Sequence, residues 1–177
     1  MRLLAISGSL RAGSSNTAAL EAMALVAPDG VEVAIYRDLA RLPPFNPDED
    51  EDARVPPLVA ALRTRVRESD GLLIAAPEYA HGVPGALKNA LDWLVASDAV
   101  PGKPVALVNC APRAFHAQSA LRETLATMAA RLAPEAFVTL PLTGRAIDAK
   151  TIAADPRMAQ ALRDALAALR DLIAEVR

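Results

Sequence analysis

The chain is poor in the groups that most often announce a function. Among its 177 residues there is one cysteine, Cys110, and there are two histidines, His81 and His116. One thiol excludes an internal disulfide, and one Cys with two widely separated His residues falls short of a metal-ligand cluster. Aromatic residues make up only 3% of the chain, so two stacking rings to sandwich a planar ligand are hard to supply. Neither sign of charge dominates: 19 basic and 21 acidic residues, mostly intermixed, leave a net charge of −2, which excludes the basic footprint of a nucleic-acid or anionic-lipid binder. Long apolar runs are missing too. None approaches the roughly 18 residues of a membrane span, and the opening Met1 to Leu10 lacks the apolar stretch of a signal peptide. The expectation is a soluble, cytoplasmic protein with a small-molecule partner, no nucleic acid and no membrane.

What is present is a hydrophobic share of 53% in a chain long enough for one core, so residues 1–177 read as a single domain. Short runs rich in Leu, Ile and Val occur at Leu3 to Ile6, Val31 to Tyr36, Gly71 to Ala76, Pro104 to Asn109 and Phe137 to Leu140, each bounded by Gly, Pro, Asp or Asn; these predict five strands. Helical spacing separates them, as in Leu87, Leu91, Leu94 and Val95, and in Leu121, Leu125, Met128 and Leu132. A last helix carries Met158, Leu162, Leu166, Leu169, Leu172, Ile173 and Val176 on one stripe, with Arg163, Asp164, Arg170 and Asp171 opposite. Strands that are apolar throughout are buried on both faces, as in a parallel sheet covered by helices. The fold class is therefore α/β, a three-layer sandwich on a five-stranded parallel sheet, for which the flavodoxin-like order 2-1-3-4-5 is the natural arrangement. In such sheets ligands sit at the carboxyl ends of the strands, near the switch point between strands 1 and 3. The acidic stretch Asp48 to Asp52, following Pro43 and Pro44, reads as a solvated surface loop.

After strand 1 the chain runs Ser7-Gly8-Ser9-Leu10-Arg11-Ala12-Gly13-Ser14-Ser15-Asn16-Thr17 and enters a helix. Unpaired N–H groups at a helix start, the helix dipole, small hydroxyls and the Arg11 guanidinium together suit a phosphate. The loop is neither Gly-x-Gly-x-x-Gly nor Gly-x-x-x-x-Gly-Lys-Ser/Thr, so a monophosphate fits better than a dinucleotide or a P-loop triphosphate. Ordinary capping by the same Ser and Asn residues is the alternative use. After strand 3 come Pro77-Glu78-Tyr79-Ala80-His81-Gly82-Val83-Pro84-Gly85 and then Leu87-Lys88-Asn89-Ala90-Leu91-Asp92-Trp93. Two prolines make this loop stiff, its backbone groups can read the polar edge of a heterocycle, and Tyr79 or His81 can border its plane.

Gly-Ser-Leu-Arg-x-Gly-Ser-x-Asn after strand 1, together with Pro-Glu-Tyr-x-x-Gly-x-Pro-Gly-x-Leu-Lys-Asn-Ala-Leu-Asp-Trp after strand 3, resembles the NADPH-dependent FMN reductase family, which includes quinone, chromate and azo-dye reductases. The resemblance spans roughly Met1 to Ala130. It implies FMN as cofactor and NADPH as hydride donor, with NADH the second candidate. Ser9, Arg11, Ser14, Ser15, Asn16 and Thr17 would hold the FMN phosphate; Pro77, Glu78, Tyr79, Ala80, His81 and Gly82 would lie beside the ring, largely through backbone groups. Many members carry Asn where Ala80 stands and Ser where Gly82 stands. The third family contact, a loop after strand 4 that is often Gly-rich, is here Asn109 to Gln118 with Pro112, and Arg113 and His116 in it are candidates for reading the acceptor or the nicotinamide nucleotide. The resemblance implies ping-pong hydride transfer to the flavin and then to a quinone, flavin or similar small acceptor, with no dedicated catalytic side chain, in a homodimer or homotetramer to which Trp93 and Leu94 are candidate contacts. The alternatives are a flavodoxin-like electron carrier, which the shortage of aromatics opposes, and a non-catalytic flavin-binding module.

Overall fold

The computed structural model describes residues 1–51, 54–113, 115–142 and 146–176. Six parallel strands form one sheet: β1 (Arg2–Ser7), β2 (Glu32–Ile35), β3 (Gly71–Ala75), β4 (Pro104–Asn109), β5 (Arg131–Leu132) and β6 (Val138–Thr139). The order is β2-β1-β3-β4-β5, with β6 also on β4. Helices α1 (Ser15–Val26), α2 (Pro57–Glu68), α3 (Gly85–Val95), α4 (Phe115–Thr127), α5 (Ala149–Ala154) and α6 (Pro156–Glu175) alternate with the strands and cover both faces.

Alternation along each strand divides the core. Leu3 and Ala5, Leu73 and Ala75, and Ala106 and Val108 face α1, α5 and α6. Leu4 and Ile6, Leu72 and Ile74, and Val105 and Leu107 face α2, α3 and α4. The small residues Ala5, Ala75 and Ala106 meet Ala18, Ala19 and Ala22, so α1 lies close on the sheet. Each fully buried Leu or Ile contributes about 1.5–3 kcal/mol. In α6 the buried stripe is Ala159, Leu162, Ala165, Leu166, Leu169 and Ile173; Met158 and Leu172 are half-buried at its margins and Val176, expected on the stripe, is exposed.

Three sequence expectations need correcting. The fifth strand is two short pieces: Arg131–Leu132 pairs with the start of β4 and Val138–Thr139 with its end. Between them Pro134 to Ala136 makes one tight helical turn, because Pro134 has no N–H to give a ladder. The helix expected to include Leu132 stops at Thr127 instead, where Ala129 turns left-handed (φ 56°) and Leu132 becomes strand. The acidic stretch is solvated at Asp48, Glu49 and Glu51, as expected, but not at Asp50. Asp50 pairs with Arg63 while both side chains are only about a tenth exposed, and Asp52 lies outside the described residues.

The register places the site. Ser7 of β1 is level with Ala75 of β3, and Ala75 with Val108 of β4. The loops after all three strands therefore leave the sheet at the same height, and the Gly8 N–H donates to the Ala75 carbonyl (2.7 Å).

Candidate functional site

The loop after β1 is organised around Ser7, a residue the sequence reading passed over. Its hydroxyl oxygen accepts from the Ser9 N–H (3.3 Å) and from the Thr17 hydroxyl (2.8 Å), drawing the two ends of the loop together. Ser9 in turn accepts from the Arg11 N–H (3.4 Å). Ser14 is the N-cap of α1 and accepts from the Thr17 N–H (3.4 Å). Capping and ligand binding are compatible here, since the cap leaves the N–H groups of Ser15 and Asn16 without intrahelical partners. No acidic residue stands in the first turn of α1, and Arg11 is exposed with no carboxylate partner among the described residues. All of these favour an anion.

Two buried polar atoms beside the loop lack partners. Asn16 is 7% exposed with its side-chain oxygen unpaired, and Tyr36, at the end of β2, is 5% exposed with its hydroxyl unpaired. Tyr36 lines a cavity of about 210 Å³ together with Ser7, Ser9, Arg11, Thr17 and Arg37. Burial, chiefly, and then the Asp38 carboxylate raise the Tyr36 pKa, so the phenol stays protonated. Unpaired buried groups in a native fold call for an explanation, and a ligand carrying both an anionic group and hydroxyls supplies one. The polar inventory of this loop fits the phosphate and polyol tail of FMN.

Gly8 sits where the loop after β1 meets the loop after β3: a Cβ there would come 3.0 Å from Leu87 and 3.4 Å from Pro84. The second loop is a tight turn. Tyr79 and Gly82 exchange two backbone hydrogen bonds (3.2 and 2.9 Å), while Ala80 (φ 48°) and His81 (φ 60°) are both left-handed, as the two central residues of a type I′ turn must be. Among the described residues the N–H groups of Glu78, Ala80 and His81 have no partner, so the turn presents backbone donors outward. Asn at position 80 would ease this turn, which gives the Asn of other family members a conformational reason.

The Glu78 side chain has a definite task. Its carboxylate accepts from the Ala117 N–H (2.9 Å) at the start of α4, so it ties the second loop to the third. The helix begins at Phe115, so the segment expected to be loop as far as Gln118 is helical from there on. His116 stacks on His81 (centroids 4.2 Å, planes 24° apart), and Phe115 packs on His116 at 4.1 Å. His81 and His116 thus bring the second loop and the start of α4 together at one exposed mouth beside Tyr79; Arg113 is also exposed, two residues before α4, while Ala114 lies outside the described residues. Cys110 is buried behind it. Its thiol contacts the Ser15 carbonyl (3.5 Å) and burial pushes its pKa up to about 12, so it supplies no thiolate.

Trp93 is fully buried and donates to the Pro43 carbonyl (2.8 Å), which also accepts from Asn89 (2.9 Å). Leu94 is buried as well, so the side chains of both candidate contacts lie inside this chain, where Trp93 and Asn89 anchor the β2–α2 loop. Among the described residues no three His, Cys, Asp or Glu side chains group as a metal site, and no helix is long and apolar enough to cross a membrane.

The comparisons agree with this geometry. Residues 1–144 match the model of the NADPH-dependent FMN reductase family. An NAD(P)H-dependent FMN reductase of Pseudomonas aeruginosa is 34% identical over 176 residues, covering 96% of this chain and 94% of that protein. A quinone reductase of Escherichia coli K12 is 36% identical over 107 residues, 59% of this chain and 57% of that protein. The solved structure of FerB, a flavoenzyme NAD(P)H:(acceptor) oxidoreductase from Paracoccus denitrificans, superposes with a TM-score of 0.77 at 27% identity, covering 98% of this chain and 97% of that one. Three loops brought level by the sheet, an anion-ready helix start and matches along the length of the chain lead to one conclusion: the protein belongs to the NADPH-dependent FMN reductase family.

Proposed function

We propose how the family's chemistry, NAD(P)H-dependent reduction through FMN, is distributed over this chain, with residues 1–177 acting as one flavin-binding domain. The backbone N–H groups of Ser15 and Asn16, the hydroxyls of Ser9, Ser14 and Thr17, and Arg11 hold the phosphate. Pro77 to Gly82 border the ring, their outward N–H groups reading its polar edge while Tyr79 and His81 flank it. When bound, FMN supplies the ability to take a hydride from a nicotinamide and pass two electrons to an acceptor. The residues' work is therefore to hold two planes in contact and keep the loops rigid, with no side chain serving as acid or base. Arg113 and His116, exposed at the mouth, meet whichever second molecule is present, the nicotinamide nucleotide or a quinone, flavin or similar acceptor. This sharing of one mouth supports ping-pong turnover.

The observation that carries the reading is the α1 start: a capped helix N-terminus free of acidic residues, beside Arg11 and the unpaired Asn16 and Tyr36 groups. Of the six exposed large apolar side chains, Leu10, Tyr79 and Phe115 lie in or beside the three loops, which supports a second copy meeting the chain there, as homodimer or homotetramer. A cytoplasmic location is the setting in which reduced nicotinamide nucleotides are at hand.

The decisive experiment mixes the FMN-reconstituted protein with NADPH in the absence of oxygen and follows the flavin's visible absorption. Bleaching, then recovery on adding a quinone, is expected. Bound flavin that keeps its colour with both NADPH and NADH would refute turnover as described.

A further inference from the structure

A second polar cavity, of about 150 Å³, lies between α4 and the edge of the sheet, away from the β1 loop. Phe115, Gln118 and Arg122, spaced three and four apart, present one stripe of α4 to it. Asn109 at the end of β4 and Thr139 on β6 form the facing wall, with Phe137 at one side.

The polar groups here are donors in search of an acceptor. Gln118 is 6% exposed, and its amide nitrogen has no partner. The Arg122 guanidinium lies 4.9 Å above the Phe137 ring and meets no carboxylate among the described residues. Asn109 uses its side-chain oxygen to accept from the Ala111 N–H (2.9 Å), which turns its amide nitrogen to other use. Thr139 is an exposed residue, and none of the lining residues is acidic. A buried donor left unmet is costly, and a planar guanidinium fork matches a carboxylate better than it matches a spherical anion. The phenyl rings of Phe115 and Phe137 add apolar surface.

We propose that this cavity is a binding site for a small monocarboxylate bearing an apolar or aromatic group, its carboxylate received by Arg122 and Gln118 and its apolar part lying against Phe115 and Phe137. The cavity shares Asn109, Phe115 and Gln118 with the third loop, and Phe115 also packs on His116 and so joins the cavity to the ring cluster at the mouth.

The test is isothermal titration of the purified protein, with and without FMN, using sodium benzoate, sodium acetate, sodium phosphate and sodium chloride at equal ionic strength. One benzoate per chain is expected, bound more tightly than acetate and at least tenfold more tightly than phosphate or chloride. Arg122→Gln should weaken benzoate at least tenfold. Gln118→Met, which keeps the side-chain volume and so the packing, should weaken it several-fold. Equal affinity for benzoate and phosphate, benzoate heats no greater than those of chloride, or unchanged benzoate binding in both variants would overturn the proposal. Because binding is read on the flavin-free protein as well, the outcome stands apart from whether NADPH bleaches the flavin.

Discussion

Glu78 offers the sharpest separation between holding a loop and touching a ligand. Its carboxylate accepts from the N–H of Ala117, the third residue of α4, which is one of the donors a helix start leaves unpaired. Losing such an acceptor costs about 1 kcal/mol, and losing a negative charge at that position a further ~0.3–1 kcal/mol. Glu78→Ala should therefore cost about 1–2 kcal/mol, and Glu78→Gln, which keeps an acceptor oxygen, about 0.5 kcal/mol. For a chain of this length that lowers the melting temperature of the flavin-free Ala variant by about 2–8 °C. If the cost falls on the arrangement of the second and third loops that receives the ring, FMN affinity drops about 5- to 30-fold for Ala and two- to threefold for Gln, at ~1.4 kcal/mol per factor of ten. Quenching of free FMN fluorescence on titration gives the affinity, and a thermal melt of the flavin-free protein gives the stability. An Ala variant that melts low yet binds FMN like the native chain would refute the coupling. Equal loss of affinity in both variants with an unchanged melt would show instead that the carboxylate contacts the flavin directly.

Three further perturbations test other parts of the account. Ala80→Gly should raise the melting temperature by roughly 2 °C, because Ala80 is left-handed (φ 48°) and relief of that conformation, about 1–2 kcal/mol, exceeds the added chain entropy of glycine; a lower melting temperature would contradict the turn geometry. Arg63→Ala should cost about 3 kcal/mol, since it leaves Asp50 buried and unpaired and the Trp93 carbonyl without its donor, whereas Arg67→Ala, which breaks an exposed pair with Asp98, should shift urea unfolding by under ~1 kcal/mol. Equal costs would show that the burial of the first pair carries no weight. Cys110, with its thiol near 12 in the fold against an ordinary 9.0, should react with iodoacetamide at pH 8.5 on the order of 1000-fold more slowly in the native than in the urea-unfolded protein. By linkage, its contribution to stability is complete below about pH 9 and is lost as the pH rises toward 12, so Cys110→Ala should flatten the alkaline fall in stability and rapid native alkylation would count against the burial.

The elements that could be read from the sequence are those whose signals are local. β4 was expected at Pro104 to Asn109 and occupies those residues, since Pro104 marks its start and the run is apolar to its end. β1, β2 and β3 differ from expectation by a residue or so at an end, where fraying and pairing decide. The failures cluster between Thr127 and Thr139. Leu121, Leu125, Met128 and Leu132 keep helical spacing, yet the chain leaves the helix at Ala129, an alanine in a conformation usually signalled by glycine. The Gly102 N–H donates to the Ala129 carbonyl and the Arg131 N–H to the Lys103 carbonyl, so pairing with the segment before β4 overrides the local pattern. No property of residues 128–132 alone contains that competition.

The same division runs through the site. Residue types and spacing point to a helix start at Ser14 to Thr17 and a stiff turn within Pro77 to Gly82, and both are there, because capping at a helix start and a turn at a strand end are local chemistry. What holds those loops to one another is not local. Glu78 reaches Ala117 across 39 positions and Cys110 reaches Ser15 across 95, distances closed only when the register sets Ser7, Ala75 and Val108 level. Ser7 and Tyr36 carry no local signal for the same reason: each looks like the last residue of a strand until the neighbouring loop gives its hydroxyl a place in the cavity. A Glu in Pro-Glu-Tyr invites a ligand role because charged residues at strand ends so often serve one. In this fold one of its oxygens is already engaged by α4, so under the proposed function the reading of the ring falls to the backbone of the turn with Tyr79 and His81 beside it.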